Sequence, residues 1–471
     1  MKFILISIII LMSGVPASAQ GCKISVELPG AAGNNVLLAH YYAKQLLIND
    51  TIRLDNNGRG IFEADTLLPE GLYMIYFNND NHFDFLLSSD QDFTIANKNF
   101  SKTGLQITGS TEGEEFVKYT KFLDGLQQEK NEIIQKSRNA TAAEKVVYQN
   151  KLDTLTNKLH DYWIKKAGEY PGTWLAAFLM ADYVPSADLN KLPEEVRKND
   201  TLRLRYKFDY QEKHYFDYFD VTDKRFLYTP LITPKLETYF TKILYQQYDT
   251  VRAGIMNLIE KSRPCKPMFR YIVSYFLNES YNSKLMGLDA LFDDIARKYY
   301  LSGMAYWADS ATIATIRENV IFSEHNLLGM TAPELKLEGL DSTHYYSLHE
   351  INAKVTVVLI YEPNCSHCQT YVPALYKEVF LPYKNYGLEV YAIYSMDNRE
   401  EWVDFIQKEN LYDWINVWDE NNFSGFKVLY DARKTPAVYV LDQNKKIIAK
   451  NLSVDQVKKV VESELGITNP G

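Results

Sequence analysis

A short apolar run followed by two closely spaced cysteines constrains the fold of this chain more than any other feature. The run, Val355–Tyr361, is predominantly apolar and β-branched, which is typical of a strand buried on both faces of a sheet. Pro363 follows it closely, and Cys365 and Cys368 come where a helix is predicted to begin. Strand, break and helix in this order indicate an α/β domain with its sulfurs at the end of a central strand.

The predicted position of Cys365 favours reactive sulfur chemistry. The first turn of a helix has backbone N–H groups without intrahelical partners, and together with the helix dipole they stabilise a thiolate. His367, between the cysteines, adds positive charge when it is protonated. Two intervening residues also suit a disulfide that opens and closes by thiolate exchange. A structural disulfide and half of a zinc site are the alternatives, although zinc needs two further ligands and the sequence has no second C-x-x-C.

These features, taken in order, resemble the thioredoxin superfamily and specifically its exported TlpA/ResA-like branch. The resemblance covers residues 327–465 and includes the lead-in at residues 329–335, the strand, the C-x-x-C, and Pro373 five residues after the second cysteine. It also includes Thr435-Pro436, which precedes a second apolar strand. The resemblance implies a thioredoxin-like α/β domain over residues 327–467, acting as a thiol-disulfide oxidoreductase without a metal or other cofactor.

The same resemblance assigns roles to the residues of the site. Cys365 is expected to be the attacking thiolate, and Cys368, one helical turn later, the resolving thiol that releases the mixed disulfide. The two cysteines would form the redox-active disulfide. Thr435-Pro436 is expected to contain a cis peptide bond, which costs little before proline. The backbone of Thr435 would then face Cys365 and bind the extended substrate chain.

The sequence departs from the family at three positions near the cysteines. The buried Asp that thioredoxins carry six residues before the first cysteine is Leu359 here, and the Glu that ResA-like reductases place three residues after the second is Tyr371. The family's Trp before the first cysteine is Asn364. Because the usual proton-relay acid is missing from both places, Glu362 is the candidate substitute, with water or His367 as alternatives. Otherwise Glu362 is a solvent-facing turn residue.

The residues leave the direction of electron flow open. Ser366-His367 between the cysteines resembles oxidants and isomerases, because a histidine there stabilises the reduced thiolate and raises the potential. TlpA/ResA-like relatives more often reduce partners such as apocytochromes or other exported proteins. The expected partners are therefore proteins that carry thiols or disulfides, together with a membrane or periplasmic redox partner.

The beginning of the chain predicts export. Residues 1–19 have a charged start at Lys2, an apolar core over residues 3–12 and a small-residue cleavage site, as in a signal peptide. The mature protein is expected to begin near Gln20 and to be periplasmic or otherwise extracytoplasmic. The alternative is a lipoprotein acylated at Cys22, although the preceding residues lack the Leu and small-residue pair that such a site prefers.

Charge and cysteine content exclude two classes of protein. The net charge of −9 and the absence of a Lys/Arg-rich run with interleaved aromatics argue against binding to nucleic acid. Four cysteines in 471 residues are too few for a disulfide-stapled scaffold. Cys22 and Cys265 are far apart in sequence, and the sequence leaves them free, bridged to each other or, for Cys22, lipidated.

Residues 22–110 are predicted to form an all-β, sandwich-like domain. Short apolar or alternating runs are separated by turn clusters such as Asn56-Asn57-Gly58; the runs cover residues 24–28, 36–42, 61–64, 71–77, 83–87, 93–95 and 105–107. This region resembles a β-rich module of unknown function that often precedes exported thioredoxin-like domains. It would act as a docking platform for a partner or glycan, or as a spacer that orients the redox domain.

Residues 112–322 are predicted to be helical. Apolar residues recur every three or four positions, and the predicted helices cover residues 114–135, 142–168, 233–262, 268–280 and 290–299. His214, Asp217 and Asp220 invite a metal-site interpretation, but the intervening Tyr and Phe favour an aromatic face packed against neighbours. His344 and His349 are predicted to be loop residues.

A second function from another class stays open. Two-thirds of the chain lies outside the thioredoxin-like region. The chain would then be a non-catalytic interaction protein whose β and helical domains bind a partner and whose redox domain is regulatory.

Overall fold

The computed structural model describes residues 21–101, 103–283 and 286–467, and these divide into two compact units. The first contains the chain up to Gln246 together with Lys261–Met268, and the second contains Gln247–Glu260 together with the chain from Phe269 onward. The predicted signal peptide, residues 1–19, lies outside the described residues. Within those ranges, every helix is too short or too polar to cross a membrane.

The amino-terminal residues form two sheets that face each other, as the sandwich prediction requires. Their strands are β1 Cys22–Glu27, β2 Asn35–Tyr42, β3 Gln45–Arg53, β4 Arg59–Ala64, β5 Gly71–Asn78, β6 Asn81–Leu87, β7 Asp92–Ala96 and β8 Gln106–Thr108. One sheet has the order β4-β1-β7-β8 and the other the order β3-β2-β5-β6. Alternate residues of facing strands, such as Ile24 and Val26 in β1 and Tyr73 and Ile75 in β5, pack into one core.

The sequence prediction missed β3. This strand pairs with β2 from Asn35↔Arg53 to Tyr42↔Gln45 and forms one edge of its sheet. Nearly all of its residues are exposed, so it lacks the apolar–polar alternation that reveals a half-buried strand. Backbone pairing with β2, rather than side-chain burial, therefore keeps these residues extended.

The helical part of the first unit follows the sandwich. Its helices are α1 Thr111–Ser137, α2 Ala142–Glu169, α3 Trp174–Met180, α4 Glu194–Lys198, α5 Asp200–His214 and α6 Ile232–Thr238. The Ser110 side chain caps α1 by accepting from Gly113 N–H. A capping box begins α2, in which Thr141 Oγ1 accepts from Glu144 N–H and the Glu144 carboxylate accepts from Thr141 N–H. Val117 of α1 packs against the sandwich core.

Residues 233–262 are helical, as predicted, on both sides of a break at residues 244–247 that the sequence prediction did not include. After α6 the chain makes a π-helical turn, Tyr239–Ile243, and Leu244 is extended. The Gln246 side chain donates to the carbonyls of Phe240 and Leu244 at 2.9 and 2.8 Å, satisfying acceptors that a continued helix would have used. The apolar periodicity continues through this break, so periodicity alone did not reveal it.

The second unit begins with helices and ends with a seven-stranded sheet. Four helices lead up to the sheet: α7 Tyr248–Ser262, α8 Lys266–Asn282, α9 Asp289–Ile295 and α10 Ser310–Ser323. The Asp309 carboxylate caps α10 by accepting from Thr312 N–H at 2.7 Å. The sheet domain contains β9 Lys336–Gly339, β10 Tyr345–Ser347, β11 Val355–Tyr361, α11 Ser366–Leu375, α12 Leu381–Tyr383, β12 Leu388–Tyr394, α13 Arg399–Glu409, β13 Ile415–Trp418, α14 Phe426–Leu429, β14 Ala437–Leu441, β15 Ile447–Lys450 and α15 Val454–Glu464.

The predicted central strand lies at the centre of this sheet. The strand order is β10-β9-β13-β12-β11-β14-β15, with β11 parallel to β12 and antiparallel to β14. All seven residues of β11 are buried. Val357 and Leu359 face a core that includes side chains of α11, α13 and α15, whereas Val358 and Ile360 face a second core on the opposite side. Burial on both faces explains the unbroken apolar run and confirms the thioredoxin-like α/β prediction.

Candidate active site

The end of β11 places Cys365 at the beginning of α11. Cys365 is the N-cap residue, with extended backbone angles (φ −76°, ψ 121°). Its N–H donates to the Glu362 carbonyl at 3.1 Å, and its carbonyl accepts from Gln369 N–H at 3.0 Å. The chain therefore turns from strand to helix at Cys365, and the sulfur lies beside the unpaired N–H groups of the first turn.

The surroundings of Cys365 favour its thiolate. The backbone N–H of Cys368 has the largest effect and lowers the pKa of the Cys365 thiol from 9.0 to about 7. The Thr435 side chain and the backbone N–H of His367 add to this lowering, while partial burial opposes it. At neutral pH a large fraction of Cys365 is therefore the nucleophilic thiolate.

The second cysteine has the opposite environment. Cys368 is completely buried in the core beneath α11. Burial raises the pKa of its thiol from 9.0 to about 11. One cysteine is thus reactive and partly accessible, and the other is protected and protonated, one helical turn away.

A loop from the opposite side of β11 meets the first sulfur. The peptide bond Thr435-Pro436 is cis, which confirms the expectation from the sequence. The Thr435 carbonyl oxygen accepts from the Cys365 thiol at an Sγ–O distance of 3.5 Å. Residues 70 positions apart are brought together because β14, which follows the loop, pairs directly with β11.

A groove of about 890 Å³ lies beside Cys365. Its wall combines the turn before α11, the exposed face of α11, the loop before β14 and the start of α15. The lining residues are Glu362, Cys365, Ser366, His367, Thr370, Tyr371, Ala374, Arg433, Lys434, Thr435, Pro436 and Val454. Every residue that the sequence assigned to the site, apart from the buried Cys368, therefore borders the same groove.

The positions that depart from the family carry no carboxylate near the sulfurs. Leu359 is buried in the core. Tyr371 lines the groove, its hydroxyl donates to the Leu452 carbonyl at 2.8 Å, and burial raises its pKa. Glu362 is half-buried, its backbone carbonyl contacts Cys365, and its carboxylate accepts from Ser395 Oγ at 3.4 Å. Glu362 is thus the carboxylate that borders the groove.

The histidine between the cysteines contributes through its backbone. The His367 side chain is exposed and, within the part of the chain that the structure describes, makes no hydrogen bond or ion pair. Its N–H is one of the groups that favour the Cys365 thiolate. Among the described residues the imidazole makes no contact with the Cys365 sulfur. The expectation that it adds positive charge there therefore stays a prediction.

The remaining candidates from the sequence do not converge on a site. His214 Nδ1 lies 2.6 Å from Asp217 Oδ2, but Asp220 instead accepts from the hydroxyl of Thr222 at 2.7 Å. His344 and His349 lie in loops, as predicted. Across the described ranges, no three His, Cys, Asp or Glu side chains are grouped as a metal site requires.

Two groove-related residues were missed by sequence reasoning. Ser395, directly after β12, has its one hydroxyl proton within reach of two acceptors, the Tyr361 carbonyl at 3.1 Å and the Glu362 carboxylate at 3.4 Å. Arg433 forms part of the groove wall. The strand order of a thioredoxin-like domain predicts that β12 ends beside β11, which would bring residue 395 close to the groove. Nothing in the sequence next to Ser395 or Arg433 marks them as residues of the site.

Two protein families match parts of the chain. Residues 328–450 match the AhpC/TSA family, and residues 22–116 match a domain of unknown function, DUF4369. No curated protein matches the chain.

Several solved structures are similar to the chain. A domain of a possible thiol-disulfide isomerase from Cytophaga hutchinsonii is 36% identical, with coverage of 30% of this chain and 95% of that one and a TM-score of 0.28. A thioredoxin-like protein from Bacteroides caccae is 19% identical over 60% of this chain and 98% of that one, with a TM-score of 0.46. The thioredoxin domain of a thiol-disulfide oxidoreductase from Bacteroides vulgatus is 24% identical over 29% of this chain and 97% of that one, with a TM-score of 0.28.

Proposed function

Because the carboxy-terminal domain of this chain belongs to the thioredoxin-like AhpC/TSA family, we propose that the protein exchanges disulfides with partner proteins through Cys365 and Cys368. One observation carries the proposal. The Cys365 thiol lies at a helix N-terminus with its pKa lowered to about 7, one turn before a buried Cys368 thiol. This pairing separates an attacking sulfur from a resolving sulfur.

In the first step the Cys365 thiolate attacks one sulfur of a substrate disulfide. A bond forms between Cys365 Sγ and that sulfur, the substrate S–S bond breaks, and the second substrate sulfur leaves as a thiolate that takes a proton from water. In the second step Cys368 loses its proton and attacks Cys365 Sγ. The mixed disulfide breaks, Cys365 and Cys368 become joined, and the substrate leaves with both sulfurs reduced.

The second step requires a proton acceptor, because burial holds the Cys368 thiol protonated. We assign this role to Glu362, whose carboxylate borders the groove and whose backbone acts against burial by lowering the pKa of the Cys368 thiol. Ser395 orients the carboxylate by donating a hydrogen bond to it. A carboxylate in this position would replace the acid that the family carries at the positions of Leu359 and Tyr371.

The substrate chain would bind along the loop before β14. Thr435 and Pro436 line the groove, and the Thr435 carbonyl already accepts from the Cys365 thiol. An extended peptide that pairs with the Thr435 backbone would bring its own sulfur to Cys365. Thr435 and Pro436 are therefore proposed as substrate-binding residues.

The electrostatics at Cys365 are closer to those of a reductase than to those of a strong oxidant. Strong oxidants of this type have an attacking thiol with a pKa near about 3.5, since a very stable thiolate stabilises the reduced form, whereas reducing thioredoxin has a pKa of about 7. Cys365 has a pKa of about 7, and the exposed imidazole of His367 makes no contact with its sulfur among the described residues. The chain would therefore pass electrons to substrate disulfides and receive them from a membrane or periplasmic donor.

Export of the chain remains a prediction from residues 1–19. Burial of Cys22 supports cleavage near Gln20 rather than acylation: Cys22 is 3% exposed and pairs with Ala64 within the sandwich. An acylated amino-terminal cysteine would have to leave this core to reach a bilayer. Amino-terminal sequencing of the protein purified from its host distinguishes a start at Gln20 from a blocked start at Cys22.

Trapping of a mixed disulfide tests the proposed function. Cys368→Ser is expected to accumulate a covalent complex between Cys365 and a substrate protein, because the resolving sulfur is missing. Cys365→Ser is expected to form none, and Cys265→Ser, which alters a cysteine outside the groove, should behave as the wild type. Equal trapping by Cys365→Ser and Cys368→Ser would refute the assignment of Cys365 as the attacking group.

The alternative function, partner docking without catalysis, has one supporting observation. Edge strand β3 exposes Leu46 and Ile48, which are 44% and 66% accessible. An exposed apolar edge is unusual unless another chain covers it. If docking is the function, removing both Cys365 and Cys368 leaves partner binding unchanged, whereas Leu46→Lys with Ile48→Lys abolishes it.

A further inference from the structure

Arg433 connects the active-site loop to a helix outside the thioredoxin-like region. Its Nη1 donates to Asn319 Oδ1 at 2.7 Å, and its guanidinium carbon lies 4.3 Å from the centre of the Phe322 ring. Asn319 and Phe322 both belong to α10, which ends before the family match begins at residue 328. The contacts combine a directional hydrogen bond with a cation–π interaction, so they fix both position and orientation.

The same arginine also holds the loop together internally. Its Nε and Nη2 donate to the two carboxylate oxygens of Asp431 at 2.6 and 3.0 Å. Asp431 has a φ of 38°, in the left-handed region that residues other than glycine adopt infrequently. A bidentate bond to a guanidinium is geometrically specific, so Arg433 stabilises this backbone conformation just before Thr435.

Helix α10 is itself attached to the sheet domain at its end. The Asn326 side chain donates to the Leu429 carbonyl at 3.1 Å. Lys450 of β15 donates to the Asn326 carbonyl and to its side-chain oxygen, both at 2.9 Å. Lys450 also forms an ion pair with Asp289 of α9. The arginine contact is therefore one of several bonds between these helices and the strands that flank the loop.

The loop that Arg433 holds carries the groups that face the attacking sulfur. Two residues separate Arg433 from Pro436, and both Thr435 and Pro436 line the groove together with Arg433. The Thr435 carbonyl lies 3.5 Å from Cys365 Sγ. Because a loop has few contacts of its own, displacement of Arg433 would move the Thr435 backbone relative to the sulfur and to a bound substrate chain.

We infer, on the basis of the proposed function, that Arg433 is a positioning residue through which α10 sets the substrate-binding conformation of the Thr435–Pro436 loop. The helical region before the thioredoxin-like domain is then part of the redox site, because Asn319 and Phe322 hold one wall of its groove. Polypeptide disulfides, which pair with the loop backbone, depend on this support. Small disulfides that contact only Cys365 depend on it less, through the effect of Thr435 on the Cys365 thiolate.

The test compares two substrates in the full-length protein. Arg433→Ala is expected to raise the KM for a peptide disulfide roughly three- to tenfold, as for loss of one well-oriented contact. The kcat/KM for a small aromatic disulfide is expected to fall by a smaller factor, because that substrate does not pair with the loop backbone and senses only the change of Thr435 near the Cys365 sulfur. Arg433→Lys, which keeps the charge but not the bidentate fork, is expected to be intermediate. The matched control is Arg317→Ala, which removes an exposed arginine from α10, the helix that contains Asn319 and Phe322.

A double-mutant cycle identifies the helix as the partner. Asn319→Ala is expected to give part of the Arg433→Ala effect on the peptide KM, and the double variant no more than Arg433→Ala alone, because residues in contact do not act additively. Circular dichroism melting of each variant separates this effect from general unfolding.

Three results would overturn the inference. Equal peptide KM for Arg433→Ala and Arg317→Ala would show that the loop needs no support from α10. Equal losses with the peptide and the small disulfide would indicate general damage rather than substrate positioning. Failure of the wild type to exchange either disulfide would remove the proposed function and this inference with it.

Discussion

The ionisation of Cys365 gives a prediction that can be worked out in numbers. The structure lowers the pKa of this thiol from 9.0 to about 7. At about pH 7 it is therefore roughly half ionised, whereas a thiol with a pKa of 9.0 is roughly 1% ionised. A fiftyfold gain in thiolate is offset by lower intrinsic nucleophilicity, which falls by roughly six- to tenfold over two pKa units. The net expectation is disulfide attack about five- to eightfold faster than by an ordinary thiol.

The advantage should reverse at higher pH. Once both thiols are ionised, only the lower nucleophilicity of Cys365 remains, so it should be about six- to tenfold slower near pH 10 or above. The two rates should cross at roughly pH 8, where the ordinary thiol is about a tenth ionised. The crossing distinguishes a lowered pKa from a difference in how accessible the two sulfurs are. A difference in accessibility would raise or lower the rate of Cys365 by the same factor at low and at high pH.

The assay uses Cys368→Ser, so that Cys365 reacts alone in the active site. The substitution keeps the backbone N–H of residue 368, which is the main cause of the lowered pKa. Attack on a small disulfide is followed between about pH 5 and 10 by mass spectrometry of the Cys365 peptide, with a synthetic peptide of residues 362–370 that carries the same Cys368→Ser substitution as the reference thiol. A midpoint near 9, or parallel profiles for protein and peptide, would refute the assignment of a stabilised thiolate.

A substitution in the loop tests one cause of the shift separately. Thr435→Val removes the hydroxyl that favours the thiolate, so the midpoint is expected to move up toward the ordinary value. Thr370→Val is the matched control, because Thr370 lines the same groove but its hydroxyl donates to the Ser366 carbonyl. An equal midpoint for both variants would show that Thr435 does not act on the sulfur.

Three further predictions address other parts of the chain. Glu362→Gln should slow the decay of a preformed mixed disulfide at Cys365 by roughly tenfold or more, followed by stopped-flow release of the peptide, and should leave the first attack unchanged. Leu359→Ala, at a completely buried position, should lower the free energy of unfolding by about 2–5 kcal/mol in urea titrations. Burial lowers the pKa of Lys235 from 10.5 to about 8. Between pH 8 and 10.5 the unfolded chain therefore keeps a proton on this lysine that the folded protein has released, and the free energy of unfolding should rise with pH over that window. Lys235→Met should remove this rise, because methionine does not titrate; a flat wild-type profile of the free energy of unfolding over that window would contradict the assignment.

The parts of the fold that were predictable have strong local signals. The run at residues 355–361 identifies the strand because burial on both faces demands apolar residues at every position. The C-x-x-C and the cis peptide bond at Thr435-Pro436 were predictable because each is a short motif whose residues lie next to one another in the sequence. Two short strands before β11, and β13 beside β12, were missed because they are three or four residues long and gain their stability from pairing.

The rest depends on contacts that no local pattern encodes. Arg433 and Asn319 are 114 residues apart, and nothing near either residue predicts that they meet. The role of Glu362 could be proposed from the missing family acids, but its hydrogen bond from Ser395 requires the order of the parallel strands. The exposed edge strand β3 has no hydrophobic period at all. Sequence thus predicted the reacting atoms, while the structure supplied the groups that position them.

The reduction potential of the Cys365–Cys368 couple tests the central proposal most directly. It is measured by equilibrating the protein in thiol–disulfide buffers of graded potential and quantifying the oxidised active-site peptide by mass spectrometry. We expect a reversible two-electron couple near about −250 mV or lower, as for reducing thioredoxins. A value between about −120 and −180 mV would contradict the proposed direction and indicate an oxidase or isomerase. If no reversible disulfide forms between these cysteines at any potential, the oxidoreductase proposal is wrong and partner docking becomes the better account.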